Sequence, residues 1–128
     1  MKVKRFEDLD CWSKSRKLTN EVYKVTGAGD FASDFALKNQ IRKASISMLS
    51  NIAEGFERGG DKEFLNFLAI AKGSCGEVRA QLYVALDQEY LSQQAFDFLL
   101  DKVEEIGRMI SGLMRYLRIS ELKGSKYK

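Results

Sequence analysis

Residues 61–89 read DKEFLNFLAIAKGSCGEVRAQLYVALDQE, and the spacing of their apolar side chains decides the fold. Phe64, Leu68, Ala71, Cys75, Val78, Leu82 and Ala85 recur at intervals of 4-3-4-3-4-3. Over about three heptads this keeps one side of a helix apolar, as in the seam of a bundle. A second seam answers it downstream, where Phe96, Leu99, Val103, Ile106, Ile110, Leu113 and Leu117 run 3-4-3-4-3-4. Upstream, Leu37, Ile41, Ala44, Met48, Ile52 and Phe56 form a third stripe, and Cys11, Leu18, Val22 and Val25 beside Trp12 a fourth. No stretch alternates with period two for long enough to make a strand.

Between the stripes lie Gly27-Ala28-Gly29-Asp30, Gly59-Gly60-Asp61 and Glu89-Tyr90-Leu91-Ser92. The chain has no proline, so glycine does the punctuation and helices can run long. Ser33 or Asp34, Asp61 and Ser92 are placed as helix caps, and Leu91 with Phe96 as a hydrophobic staple. These marks predict helices over 8–26, 34–58, 61–89 and 93–119, with a frayed basic tail at 120–128 around Gly124. Short connections make successive helices antiparallel neighbours, so the expected fold is all-α: one up-down-up-down four-helix bundle spanning residues 1–128. A pair of long hairpins completed by a partner chain shares the same periodicity.

The third segment carries a further message. Off its seam lie Ala69, Gly73, Gly76 and Ala80, again 4-3-4 apart, with Leu65, Tyr83 and Val84 beside them. Mid-helix glycine costs roughly 1 kcal/mol relative to alanine, and close approach of another helix is the usual compensation. That helix belongs either to the same bundle or to another subunit. Phe98, Met109 and Tyr116, off the seam of the fourth segment, favour a subunit contact and a homo-oligomer.

Composition excludes several kinds of chemistry. With no histidine among 128 residues, imidazole bases, His-based triads, Glu-x-x-His di-iron sites and mixed-ligand zinc sites are unavailable. Two cysteines, Cys11 and Cys75, are too few for a thiolate cage or a disulfide scaffold and suit a reducing compartment. The glycine pairs lack the GxxxxGK[ST] arrangement, and nothing activates Ser74 or Cys75 as a nucleophile. Met1–Asp10 has no apolar core of a secretory signal, and no run is apolar enough to span a membrane. The expectation is a cytoplasmic, non-enzymatic protein with no metal, no cofactor and no membrane partner.

Charge is segregated along the chain. Residues 1–24 hold seven basic and four acidic groups, residues 25–107 eight and thirteen, and residues 108–128 six and one. An up-down-up-down bundle sets the first and last of these segments side by side. Lys14, Lys17 and Lys24 on the first helix, with Arg108, Arg115 and Arg118 on the fourth, are then the candidate phosphate contacts for RNA or DNA. A solvated bundle end, with cations favoured at a helix C-terminus, is the plain alternative. Within the second helix, Gln40, Arg42, Ser47, Ser50, Asn51 and Glu54 interrupt the apolar residues. Asn51 is a poor mid-helix residue, and a hydrogen-bonded layer fixing helix register is the favoured reading. Glu54 and Glu77 could meet near the interior as a carboxylate pair, although pairing with Arg or Lys is commoner.

Gln40-Ile41-Arg42-Lys43-Ala44, Ser47 and Asn51-Ile52-Ala53-Glu54-Gly55 together resemble the motif of the proteins encoded in bacterial 23S ribosomal RNA intervening sequences, the S23 family. Phe6-x-x-Leu9-x-x-Trp12 is similar to that family's opening, and Phe64-x-x-Phe67-Leu68-x-x-Ala71-x-Gly73-Ser74-x-x-Glu77 to its third helix. The resemblance covers roughly residues 6–119. It implies an antiparallel four-helix bundle assembling as a ring, typically a pentamer, with no catalytic residues. It extends to the accessory variability determinants of diversity-generating retroelements, basic pentamers that bind nucleic acid and a reverse transcriptase. Leu49, and Phe31-Ala32-Ser33 in the first loop, stand where the family usually has proline. Leu49 should leave the second helix straighter.

Gln40, Arg42, Asn51, Glu54, Gly55, Ala69, Gly73, Ser74, Gly76, Glu77 and Ala80 are accordingly assigned to architecture, at helix packing or subunit contacts. The expected function is a homo-oligomeric, pentameric bundle with a basic edge for RNA or DNA. The alternative is a scaffold that docks a partner protein.

Overall fold

The computed structural model describes residues 2–126, with side chains as far as Leu122. Four helices, α1 (Asp10–Thr26), α2 (Phe35–Glu57), α3 (Asp61–Asp87) and α4 (Gln93–Lys126), make up the fold, with single 3-10 turns at Phe6–Asp8 and Gly29–Ser33. Each helix packs on its chain neighbours, and α4 closes the square against α1. This is the up-down-up-down bundle that the apolar periods predict.

The seams form the core. Phe64, Leu68, Ala71, Cys75, Val78, Leu82 and Ala85 are all buried, against Met48 and Ile52 of α2 and Leu99, Val103, Ile106 and Ile110 of α4. The seam of α4 departs near its end, where Met114 is buried and Leu113 is only partly so. Burial pushes the Cys11 thiol up to about 11 and Cys75 to about 12, so both stay protonated and act as small apolar fillers. The Cys75 Sγ lies 3.4 Å from the thioether of Met48.

Helix ends follow local chemistry. Asp34 Oδ1 accepts from the Leu37 amide at 3.1 Å and Ser92 Oγ from Ala95 at 3.1 Å, with Leu91 and Phe96 both buried beside it. Asp61 is not a cap: Gly60 takes that position without a side-chain bond, and Asp61 is the first helical residue. There its carboxylate faces the positive end of the helix dipole. α1 begins at Asp10, two residues later than expected, because Leu9 is extended and its carbonyl receives the Trp12 and Ser13 amides. α3 stops at Asp87 because Glu89 enters the left-handed region at φ 62°. Gly59, at φ 87°, turns α2 into α3, a conformation for which glycine is the natural residue.

The expected tail from residue 120 is instead helical as far as Lys126, since neither proline nor a left-handed residue interrupts it. Tyr127 and Lys128 lie outside the described residues. α2 runs unbroken through Leu49. In the first loop Phe31 is fully buried and stacks on Tyr90 with ring centroids 5.2 Å apart. The Tyr90 hydroxyl donates to Asp34 at 3.0 Å, tying that loop to the α3–α4 turn. No helix among the described residues is long and apolar enough to cross a membrane.

Candidate nucleic-acid interface

The polar residues of α2 divide between packing and surface. Asn51 Nδ2 donates to the Ser47 carbonyl at 2.8 Å and to Ser47 Oγ at 3.0 Å, and Ser74 Oγ meets Ser47 Oγ at 2.8 Å. A hydrogen-bonded layer thus joins α2 to α3 at one height. Arg42 closes the end of α1: its Nε donates to Thr26 Oγ1 at 2.8 Å, and its guanidinium lies 4.2 Å from the Tyr23 ring centroid. Gly55 is the point of closest approach. A Cβ there would stand 2.6 Å from Phe67 Cβ and 3.0 Å from Phe64 Cδ1.

Other residues of the pattern face outward. Gln40, Glu54 and Glu77 are exposed, so the two carboxylates do not pair in the interior, and Glu54 instead bonds Arg58 at 3.0 Å. Ala69, Gly73, Gly76 and Ala80 form an exposed row on α3. A Cβ at Gly73 or Gly76 would meet nothing within 4 Å, so close packing inside the bundle does not explain them.

The basic residues do not form one edge. Lys14 and Lys17 line a depression of about 310 Å³ between α1 and α4, with Leu18, Phe98, Lys102 and Ile106. Some of the charge on that side of the bundle is matched, while Lys17 and Lys102 form no ion pair among the described residues. Lys14 Nζ sits 2.8 Å from Glu105 and Lys24 3.4 Å from Glu21. The Lys14 hydrogen bond holds Glu105 below the usual carboxylate range, and the same bond raises Lys14. Arg108 and Arg115, seven residues apart on α4, face the other way, toward α3.

On that other side four cations face one carboxylate. An open groove of about 560 Å³ runs between α3 and α4, lined by Lys72, Arg79, Arg108 and Arg115, by Gly76, Gly107 and Gly112, and by the buried Cys75 and Val103. Glu104 is its one carboxylate and lies 3.6 Å from Arg79. Lys72, Arg108 and Arg115 form no ion pair among the described residues. Arg118 is exposed one turn beyond Arg115. Sequence reasoning missed Lys72 and Arg79, which sit in the segment with net negative charge. Their seven-residue spacing, matching that of Arg108 and Arg115, was the available signal. Among the described residues no group of three His, Cys, Asp or Glu side chains could hold a metal ion.

The sequence model of the 23S rRNA-intervening sequence proteins matches residues 7–112. The chain belongs to that family. A solved structure agrees in fold: a protein of unknown function from the S23 ribosomal protein family of Bacteroides thetaiotaomicron VPI-5482. It is 20% identical, covers 81% of this chain and 97% of its own length, and superposes with a TM-score of 0.74. No curated protein matches the chain. Ser47, Asn51, Gly55 and Ser74, which carry the resemblance in the sequence, sit where α2 meets α3.

Proposed function

We propose that this family member is a non-enzymatic homo-oligomeric bundle, pentameric by resemblance, that binds RNA or DNA through the α3–α4 side. The observation that carries the reading is the gathering of Lys72, Arg79, Arg108 and Arg115 on one groove against the single carboxylate Glu104. Cations at this density neutralise phosphates and release counterions. The phosphate contacts are Arg108, Arg115 and Arg118 of α4 with Lys72 and Arg79 of α3. Lys14 and Lys24, already ion-paired, contribute less. Assembly uses the exposed row Ala69, Gly73, Gly76 and Ala80, whose small side chains let another helix approach closely.

Charge reversal tests the binding. With three or four phosphates neutralised, affinity for RNA or duplex DNA should fall about 100-fold between 50 and 200 mM salt. The pair Arg108→Glu and Arg115→Glu should flatten that slope and weaken binding while helicity stays unchanged. Unaltered affinity would move the site elsewhere. A chain that binds no nucleic acid at low salt would instead leave the scaffold reading, with Tyr116, Ile119 and Leu122 as the exposed docking side chains.

A further inference from the structure

Resting on that reading, we infer that the α3–α4 groove is built for a single strand, with phosphates along its glycine-lined wall on α4 and bases on the shelf beside Tyr116. The glycines of α4 are the first ground. Gly107 and Gly112 both line the groove, and a Cβ at either would meet nothing within 4 Å. No turn, positive φ or internal contact calls for glycine at these mid-helix positions. What they provide is bare backbone, open to an occupant that comes from outside the chain. The rim of Lys72, Arg108 and Arg115 specifies that occupant as a polyanion.

The shelf is the second ground. Gly112 and Arg115 are shared with a second depression, of about 440 Å³, lined also by Tyr116, Ile119 and Ser120. Tyr116 is 44% exposed and Ile119 51%, so flat apolar surface lies directly beside the guanidinium of Arg115. At the other end Tyr83, one turn past Arg79, is 50% exposed and rests edge-on against Phe96 at 5.0 Å. Cations that track a backbone, continuous with aromatic faces, suit unpaired bases, because every base has a face to stack. A duplex hides those faces and offers phosphates alone. From Glu104 to Arg115 the groove wall is about 16 Å long at 1.5 Å per residue, room for two or three nucleotides.

The test uses the full chain and labelled oligonucleotides of about 15 nucleotides: oligo-U, oligo-dT and a mixed-sequence duplex, read by fluorescence anisotropy. Both single strands should bind about tenfold or more tightly than the duplex. Gly107→Leu and Gly112→Leu, which project into the groove and suit a helix, should remove most of that advantage at unchanged helicity and solution mass. Tyr116→Ala should weaken the single strands several-fold and leave the duplex unmoved. Duplex binding as tight as single-strand binding, and sensitive to Arg108→Glu, would overturn the single-strand inference while leaving nucleic-acid binding intact. No binding to any probe would overturn both. Loss of binding together with a change of solution mass in the leucine variants would make the groove a contact between copies of this chain and overturn the inference.

Discussion

Two sides of α3 carry glycine or small residues for opposite reasons. Toward α2, Gly55 meets it with no space to spare, since a Cβ would fall 2.6 Å from Phe67. Away from α2, Gly73 and Gly76 of α3 and Gly107 and Gly112 of α4 face empty space to at least 4 Å. The first kind is explained wholly by the fold of one chain. The second is not: each mid-helix glycine costs roughly 1 kcal/mol against alanine and returns nothing inside the bundle. The difference separates the glycine that the fold of one chain requires from those that it does not.

The sharpest way to break the comparison is at Gly55. Gly55→Ala should destabilise the bundle by about 1–3 kcal/mol through overpacking against Phe67 and Phe64. A thermal or denaturant midpoint equal to the parent's would show that α2 and α3 part easily. The hydrogen-bonded layer on the same side should matter less. Asn51→Ala removes the bonds to Ser47 and should cost about 1 kcal/mol, measured by urea unfolding; stabilisation would mean that poor helix propensity outweighs the layer. On the open side the sign should reverse. Gly107→Ala should stabilise the chain by about 0.5–1 kcal/mol. A loss of stability there would reveal an internal constraint that the empty space at that position does not show.

Much of the bundle was legible because burial in a helix pair repeats with a fixed period. Every residue named on the seam of α3 is buried, and Asp34 and Ser92 cap as their positions imply. The ends were harder to read. Glu89 stops α3 with a left-handed backbone that a non-glycine residue does not advertise, and nothing in residues 120–126 announces that α4 continues. Charge was legible as a sum along the chain but not as a surface. Adding up segments put Lys14 beside Arg108, whereas Lys14 lines the depression between α1 and α4 and Arg108 the groove between α3 and α4, where Lys72 and Arg79 join it. A helical projection of the basic residues alone, at 100° per residue, carries that information.

The glycine row was legible as a pattern and not as a cause. Spacing of 4-3-4 fits a neighbour in the same bundle as well as one in another subunit, and the empty space beside Gly73 rules out the first. The central claim, that these glycines serve contacts from outside the chain, is tested most directly by solution mass. Light scattering should return a multiple of 14.6 kDa for the parent chain. Gly73→Leu should fall toward the single-chain mass with its helical circular dichroism intact. A parent chain at 14.6 kDa, or a Gly73→Leu variant that assembles as the parent does, would contradict the account.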